Sequence, residues 1–191
     1  MDLELCVDKI LAGEKEYFNV LVKHLQVQIY SLAVKMTGDR EEAKDLTQEI
    51  FLKVYKSFAT YDKSAKITTW IYKIATNTCI DYLRKKKELL MIEEEQEIQV
   101  ENRFYSLPDR ALESKELKQL IHSKINLLPE SYRMVVILKY INELTFEEIA
   151  DVLKQPVNTV KTKLYRAREK LRDSLIETVK EGGEQDGLQK H

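Results

Sequence analysis

Turn-forming residues are almost absent from most of this chain. Only Gly13 and Gly38 precede residue 182, and three prolines (Pro108, Pro129 and Pro156) serve all 191 residues. Between these breaks run long stretches of Leu, Ile, Lys and Glu, which lose little rotamer freedom in a helix. The chain therefore reads as all-α. Its length admits one large domain or two small ones.

Apolar periodicity divides it into two helical domains. Leu3, Cys6, Val7, Ile10 and Leu11 lie at helical spacing over residues 2–11, and Gly13 stops the run. A longer helix over 15–36 carries the stripe Phe18, Leu21, Val22, Leu25, Ile29, Leu32, Ala33 and Met36. Gly38 ends it. Asp39 and Glu42 have capping-box spacing for a third helix, with Ala43, Leu46, Ile50, Val54 and Phe58 facing inward. Residues 60–68 (TYDKSAKIT) break the period, and a fourth helix over about 69–87 buries Trp70, Ile71, Ile74, Ala75, Thr78 and Leu83. These helices can share one core, giving an N-terminal domain over 1–87.

Residues 88–113 hold eight acidic residues against Arg103 and Arg110, without a clean period. This is an acidic linker, helical at most where it starts. A second domain is expected over 114–181. Leu117, Leu120, Ile121, Ile125 and Leu128 form one stripe, Pro129 suits the first turn of the next helix, and Val135, Val136, Leu138 and Ile141 add core. The tail, 182–191, has no apolar face and is expected to be disordered.

A net charge of −1 on a chain that is 33% charged conceals strong segregation along it. The N-terminus has acids where a secretory leader needs bases, and no apolar run approaches the ~18 residues that span a bilayer, so a cytoplasmic protein without membrane insertion is expected. Cys6 and Cys79 form no CxxC pair and read as free, buried thiols. His24, His122 and His191 are as scattered, so no metal site is expected. There is no phosphate-cradling glycine loop, GxSxG elbow or HExxH helix, so nothing asks for an enzyme or a cofactor.

The most specific local signal is TFEEIADVLKQPVNTVKTKLYRAREKLR, residues 145–172. Thr145 and Glu148 form a capping box ahead of a helix with Phe146, Ile149, Ala150 and Leu153 inside. A turn at Lys154, Gln155 and Pro156 leads to a second helix with Val157, Val160, Leu164, Ala167 and Leu171 inside. Thr159, Thr162, Lys163, Arg166 and Lys170 share its outward face. Between Lys154 and Arg172, Lys161 included, seven basic residues stand against one acid. This is a helix-turn-helix whose second helix suits a major groove, Lys and Arg neutralising phosphates while Thr, Lys and Arg reach base edges. Alone, it fits any helix-turn-helix regulator, and a merely solvated basic face is the plainer alternative.

A second cationic surface lies between Asp62 and Lys87. Lys63, Lys66, Lys73, Arg84, Lys85, Lys86 and Lys87 stand there against Asp62 and Asp81, with Tyr61, Trp70 and Tyr72 nearby. Cations that track phosphates beside rings that stack on bases suit single-stranded DNA. Trp70 reads equally well as core.

Together, AKDLTQEIFLKVYKSFATYD with ITTWIYKIATNTCIDYLRKKK resembles the second conserved region of extracytoplasmic-function sigma factors of the sigma-70 family. LPESYRMVVILKY with LTFEEIADVLKQPVNTVKTKLYRAREKL resembles their fourth. The two regions cover most of the chain, in the family's order. The resemblance implies a non-enzymatic initiation factor whose partners are core RNA polymerase, promoter DNA (duplex and single-stranded non-template) and an anti-sigma factor. It implies that Asp45, Gln48, Glu49 and Phe51 dock on the polymerase. It implies that Tyr61, Asp62, Lys63, Lys66 and Trp70 read the minus-ten element, with Asn77 in the cage for a flipped base and Arg84, Lys85, Lys86 and Lys87 on the duplex backbone. It places Thr159, Lys161, Thr162, Lys163, Arg166 and Lys170 on the minus-thirty-five element. The acidic linker resembles the segment that threads toward the polymerase's active centre.

Three residues depart from the family pattern: Ile67 stands in the melting loop where an aromatic is common, Lys154 replaces a turn glycine, and Asn158 replaces a small residue. Two other readings remain at this point. A free-standing helix-turn-helix regulator would bind duplex DNA without polymerase and leave DLTQE without a task. A helical adaptor would show little salt-sensitive DNA affinity.

Overall fold

The computed structural model describes residues 3–93 and 112–188. The order of helices is α1 (Leu3–Leu11), α2 (Glu16–Thr37), α3 (Arg40–Ser57), a 3-10 turn (Phe58–Thr60), α4 (Ile67–Glu93), α5 (Leu112–Asn126), α6 (Glu130–Tyr140), α7 (Phe146–Leu153) and α8 (Val157–Leu188), with no strand among the described residues. Linker residues 94–111 and tail residues 189–191 lie outside the described residues.

The helix ends follow from local chemistry. Gly38 closes α2 at φ +75°, its N–H donating to the Val34 carbonyl. A Cβ there would meet nothing within 4 Å, so the left-handed dihedral rather than crowding selects glycine. Asp39 caps α3 by accepting from the N–H groups of Glu41 (2.7 Å) and Glu42 (3.0 Å). Only this half of the expected box forms: the Glu42 carboxylate turns instead to Lys86 and Tyr82 on α4. That link stitches α3 to α4, which the spacing of Asp39 and Glu42 could not show.

The N-terminal core is built from Leu21, Leu25, Ile29, Leu32 and Met36 of α2, Ala43, Leu46, Ile50 and Val54 of α3, and Ile71, Ala75 and Cys79 of α4. Each fully buried Leu or Ile contributes about 1.5–3 kcal/mol of transfer free energy. Cys6 and Cys79 are free, buried thiols. The α4 helix starts two residues earlier than the periodicity suggested. Ile67 is 5% exposed, so it anchors the helix start in the core and is not part of an exposed loop.

In the C-terminal half, α6 is buried on nearly every side through Met134, Val135, Val136, Ile137 and Leu138. Ile125, Leu128, Leu144, Ile149, Val152, Val160, Leu164 and Ala167 pack around it. Leu117 and Ile121 depart from their expected stripe and are exposed, whereas Ile125 near the end of α5 and Leu128 just beyond it are buried. The expected disordered tail also differs: α8 continues through Gly182, Gly183 and Gly187 to Leu188. Extending an existing helix needs no new nucleus, so a glycine cost of about 1 kcal/mol each does not by itself stop it.

The two halves touch. α7 packs on α4 and α6 packs on α2, and the buried residues form one continuous apolar cluster.

Candidate nucleic-acid interface

The helix-turn-helix is held by its caps. Thr145 Oγ1 accepts from the Glu148 N–H (3.1 Å) and Glu148 Oε2 accepts from the Thr145 N–H (2.9 Å), a complete capping box. Those hydrogen bonds, with Lys66 nearby, hold the Glu148 carboxyl below the usual carboxylate range. Lys154 ends α7 at φ 51°, ψ 49°, a left-handed conformation, and its N–H donates to the carbonyls of Ala150 and Asp151. The missing turn glycine thus leaves the turn's shape intact at the cost of placing a Cβ in that region. Gln155 N–H donates to the Ala150 carbonyl (2.9 Å), and Lys163 Nζ donates to Gln155 Oε1 (2.8 Å), bracing the start of α8 against the turn. With Val160, Leu164 and Ala167 buried, Lys161, Thr162, Arg166 and Lys170 are exposed, while Thr159 and Lys163 are half-buried. Thr162 Oγ1 donates to the Asn158 carbonyl (2.8 Å).

The second cationic surface rests on a nest of rings. Trp70 meets Phe58 edge-on at 6.0 Å and Tyr61 at a tilt at 5.3 Å, and Phe58 in turn meets Phe18 at 6.2 Å. Tyr61 is 8% exposed and donates its hydroxyl to the Ala65 carbonyl (2.6 Å). It therefore shapes the loop from beneath. Burial raises its phenol pKa. Trp70 is half-buried, core on one side and open on the other. Asp62 caps the loop by accepting from the Ser64 N–H (3.0 Å), and the Ser64 hydroxyl and then that N–H hold its carboxyl below the usual range. Lys63 adopts φ 62° and pairs with Asp8 of α1. Asn77 is exposed between buried Thr76 and Thr78, so its amide is presented by a rigid stretch of α4. Farther along, Arg84 pairs with Asp81 (3.1 Å), Lys85 and Lys87 are exposed, and half-buried Lys86 serves the Glu42 link.

On α3, Asp45, Gln48 and Glu49 are exposed on one face. Phe51 is not: at 8% exposure it belongs to the core and holds the helix from behind. Leu52 and Tyr55 are exposed instead, and they continue the 45, 48, 49 series at helical spacing. That spacing was the signal that could have found them. Glu49 pairs with Lys53 (2.7 Å), whose ammonium also donates to Thr78 Oγ1 (3.3 Å).

The family description Sigma-70 region 2 matches residues 21–88, and Sigma-70 region 4 matches residues 118–171. The chain is 39% identical over 176 residues to the ECF RNA polymerase sigma factor SigW of Bacillus subtilis, covering 88% of this chain and 94% of that relative. The chain belongs to the extracytoplasmic-function group of the sigma-70 family. It is likewise 31% identical to the ECF sigma-E factor of Escherichia coli K12, over 87% of this chain and 90% of that relative. Its fold is similar to that of the sigma factor RpoE from Bartonella quintana, solved in complex with the anti-sigma factor NepR: TM-score 0.70, 19% identity, covering 84% of this chain and 97% of that one.

Region 2 and region 4 of this sigma factor meet through polar contacts between named side chains. Lys66 Nζ donates to Glu148 Oε1 (2.9 Å), and Lys73 lies 3.8 Å from Asp151. The Asn142 amide donates to the Tyr72 hydroxyl (3.0 Å) and to the Gln28 carbonyl (3.4 Å). Arg133 donates to the Met36 carbonyl (3.2 Å), satisfying an orphan acceptor in the last turn of α2. Lys35 Nζ lies 3.0 Å from His122 Nδ1, and burial lowers the pKa of both groups. Between the regions, Ile80, Met134 and Leu153 floor a cleft of about 400 Å³ rimmed by Glu130, Ser131, Gln155 and Lys163. Among the described residues no helix is long and apolar enough to cross a membrane, and no group of three or more His, Cys, Asp and Glu could hold a metal ion.

Proposed function

We propose that this sigma factor binds core RNA polymerase through the α3 face of Asp45, Gln48, Glu49, Leu52 and Tyr55. It reads the minus-ten element with the loop after the 3-10 turn and the open side of α4, and sets α8 into the minus-thirty-five major groove. The observation that carries this is the presence, on one chain of this family, of two cationic helical surfaces, one set by the capped helix-turn-helix and the other resting on the rings of Phe58, Tyr61 and Trp70.

The division of labour follows from the chemistry. Carboxylates and an amide around apolar Leu52 and Tyr55 fit a basic, amphipathic partner helix. The non-template base taken from the duplex costs a few kcal/mol to flip, which a rigid pocket with Asn77 at its edge and Trp70 as a stacking face offsets without ATP. Lys85 and Lys87 hold duplex phosphates, whereas Lys86 and Tyr61 position their neighbours. Each DNA module alone can be weak, because polymerase links them and raises the effective concentration of the second. The protein acts in the cytoplasm, without a cofactor or covalent chemistry of its own, and an anti-sigma factor is its expected regulator.

The test is run-off transcription with purified core polymerase on a genomic promoter library, with and without this protein. Initiation at a defined set of promoters that depends on the protein is the expected result. No association with polymerase and no new start sites would refute the proposal.

A further inference from the structure

Four cations in a row on a helix cannot all face one duplex. Arg84, Lys85, Lys86 and Lys87 follow one another on α4, and consecutive helical residues point about 100° apart. Arg84 pairs with Asp81 of its own helix, and Lys85 and Lys87 stand exposed. Lys86 turns the other way, to Glu42 in the first turn of α3. Tyr82, one turn earlier on the same side of α4, lies against the same carboxylate, and burial and then Glu42 raise its phenol pKa. The side chains of Lys86 and Glu42 are 40% and 27% exposed, against 64% and 52% for Arg84 and Asp81. Water therefore screens the Lys86 pair less, and it exchanges less readily. It is not what joins the two helices, because Leu46 and Ile50 of α3 and Ile71 and Ala75 of α4 are already buried in one core. What the pair decides is where one positive charge goes.

We propose that Glu42 is a positioning residue that withdraws Lys86 from promoter phosphates, leaving Lys85 and Lys87 as the cations of this run that grip the duplex. The inference rests on the sigma-factor reading above and adds to it a residue outside the DNA surface that sets how many charges α4 presents to DNA. A lysine already neutralised by a carboxylate displaces no counterion when DNA arrives, whereas an unpaired one does. Phosphate contacts carry no sequence information, so a further unpaired cation strengthens binding to every sequence alike. Withdrawing Lys86 thus lowers the affinity for arbitrary DNA while the base-reading groups of the loop and of α4 are left as they are.

The test follows binding of holoenzyme to a fluorescent promoter duplex from the run-off selection, over about 50 to 200 mM salt and in the cold, where the duplex stays closed. Four full-length proteins are compared: wild type, Lys85→Gln, Glu42→Ala, and the double variant Glu42→Ala, Lys86→Gln. Alanine at position 42 leaves the α3 cap in place, since Asp39 accepts there from backbone N–H groups alone. The slope of log affinity against log salt counts neutralised phosphates at about 0.9 each. Glu42→Ala should steepen it by about 0.9, which makes the loss of affinity over this range about 3.5-fold greater than in wild type. The double variant should return to the wild-type slope, and Lys85→Gln should flatten it by about the same amount. An unaltered slope in Glu42→Ala overturns the inference, because a strut with a purely structural role would change affinity at every salt alike. A steeper slope that survives in the double variant also overturns it, since the added charge would not come from Lys86. If Glu42→Ala loses helical circular dichroism, Glu42→Gln takes its place with the same expectations. Holoenzyme that shows no preference for the promoter with any of the four proteins would refute the sigma-factor reading itself, and this inference with it.

Discussion

Replacing Lys154 by glycine should stabilise the protein although the side chain is exposed. Lys154 sits at φ 51°, ψ 49°, where an L-residue pays about 1–2 kcal/mol for the approach of its Cβ to the following carbonyl. Glycine removes that strain but returns part of the gain, because its unfolded chain is freer by up to about 1 kcal/mol. The net gain should be about 0.5–1 kcal/mol, roughly 1–4 °C in Tm for a chain of this size. The assay is thermal and urea unfolding followed by circular dichroism at 222 nm, with Lys154→Ala as the control. Alanine keeps the Cβ and loses only the charge and the stem, so it should not stabilise. If glycine gives no gain, or alanine gives the same gain, strain at the turn is not what the lysine contributes.

Asp45→Lys should abolish co-purification with core polymerase while leaving the helical circular dichroism signal unchanged; retained binding would reject the α3 docking face. Arg166→Ala should weaken binding of holoenzyme to promoters that need their minus-thirty-five element by roughly 5- to 150-fold, the span of about 1–3 kcal/mol for a base-reading arginine, measured by gel shift on wild-type and minus-thirty-five-scrambled templates. Asn77→Ala should slow open-complex formation on duplex templates more than on pre-melted ones, and equal slowing would remove it from the base pocket. Acid should destabilise the protein through His122. Burial and then Lys35 hold its imidazole below its ordinary value, so below about pH 6.5 the unfolded chain takes up the proton more readily than the folded one. Stability from this group is therefore complete above that pH and lost as pH falls through the folded value. Between pH 7.5 and 5.5 the urea midpoint should drop further in wild type than in His122→Gln.

Features encoded within a few residues of one another were legible in the sequence. The Thr145 and Glu148 spacing carries its whole capping box, the Gly38 stop needs only a local dihedral, and the stripes of α2 and α3 are periodic. Features made by residues far apart were not. Glu42 sits at the right distance from Asp39 for a box, yet it is claimed by Lys86, 44 residues away. Phe51 and Leu52, by contrast, were separable locally: Phe51 lies three residues before Val54 of the inward stripe, and Leu52 continues the exposed 45, 48, 49 series. Leu117 and Ile121 have the spacing of a buried stripe, yet among the described residues none covers them. The Lys66 and Glu148 pair spans 82 residues and follows from how two separately periodic halves come together, a register that no local pattern records.

Trp70 is the chain's one tryptophan, and it lies against Phe58 and Tyr61 directly beneath the loop that carries Lys63 and Lys66. The natural protein thus carries a built-in optical reporter at the place where a base would be captured. A change in its emission colour or quenching would follow strand capture and release in real time, without a dye or any altered residue.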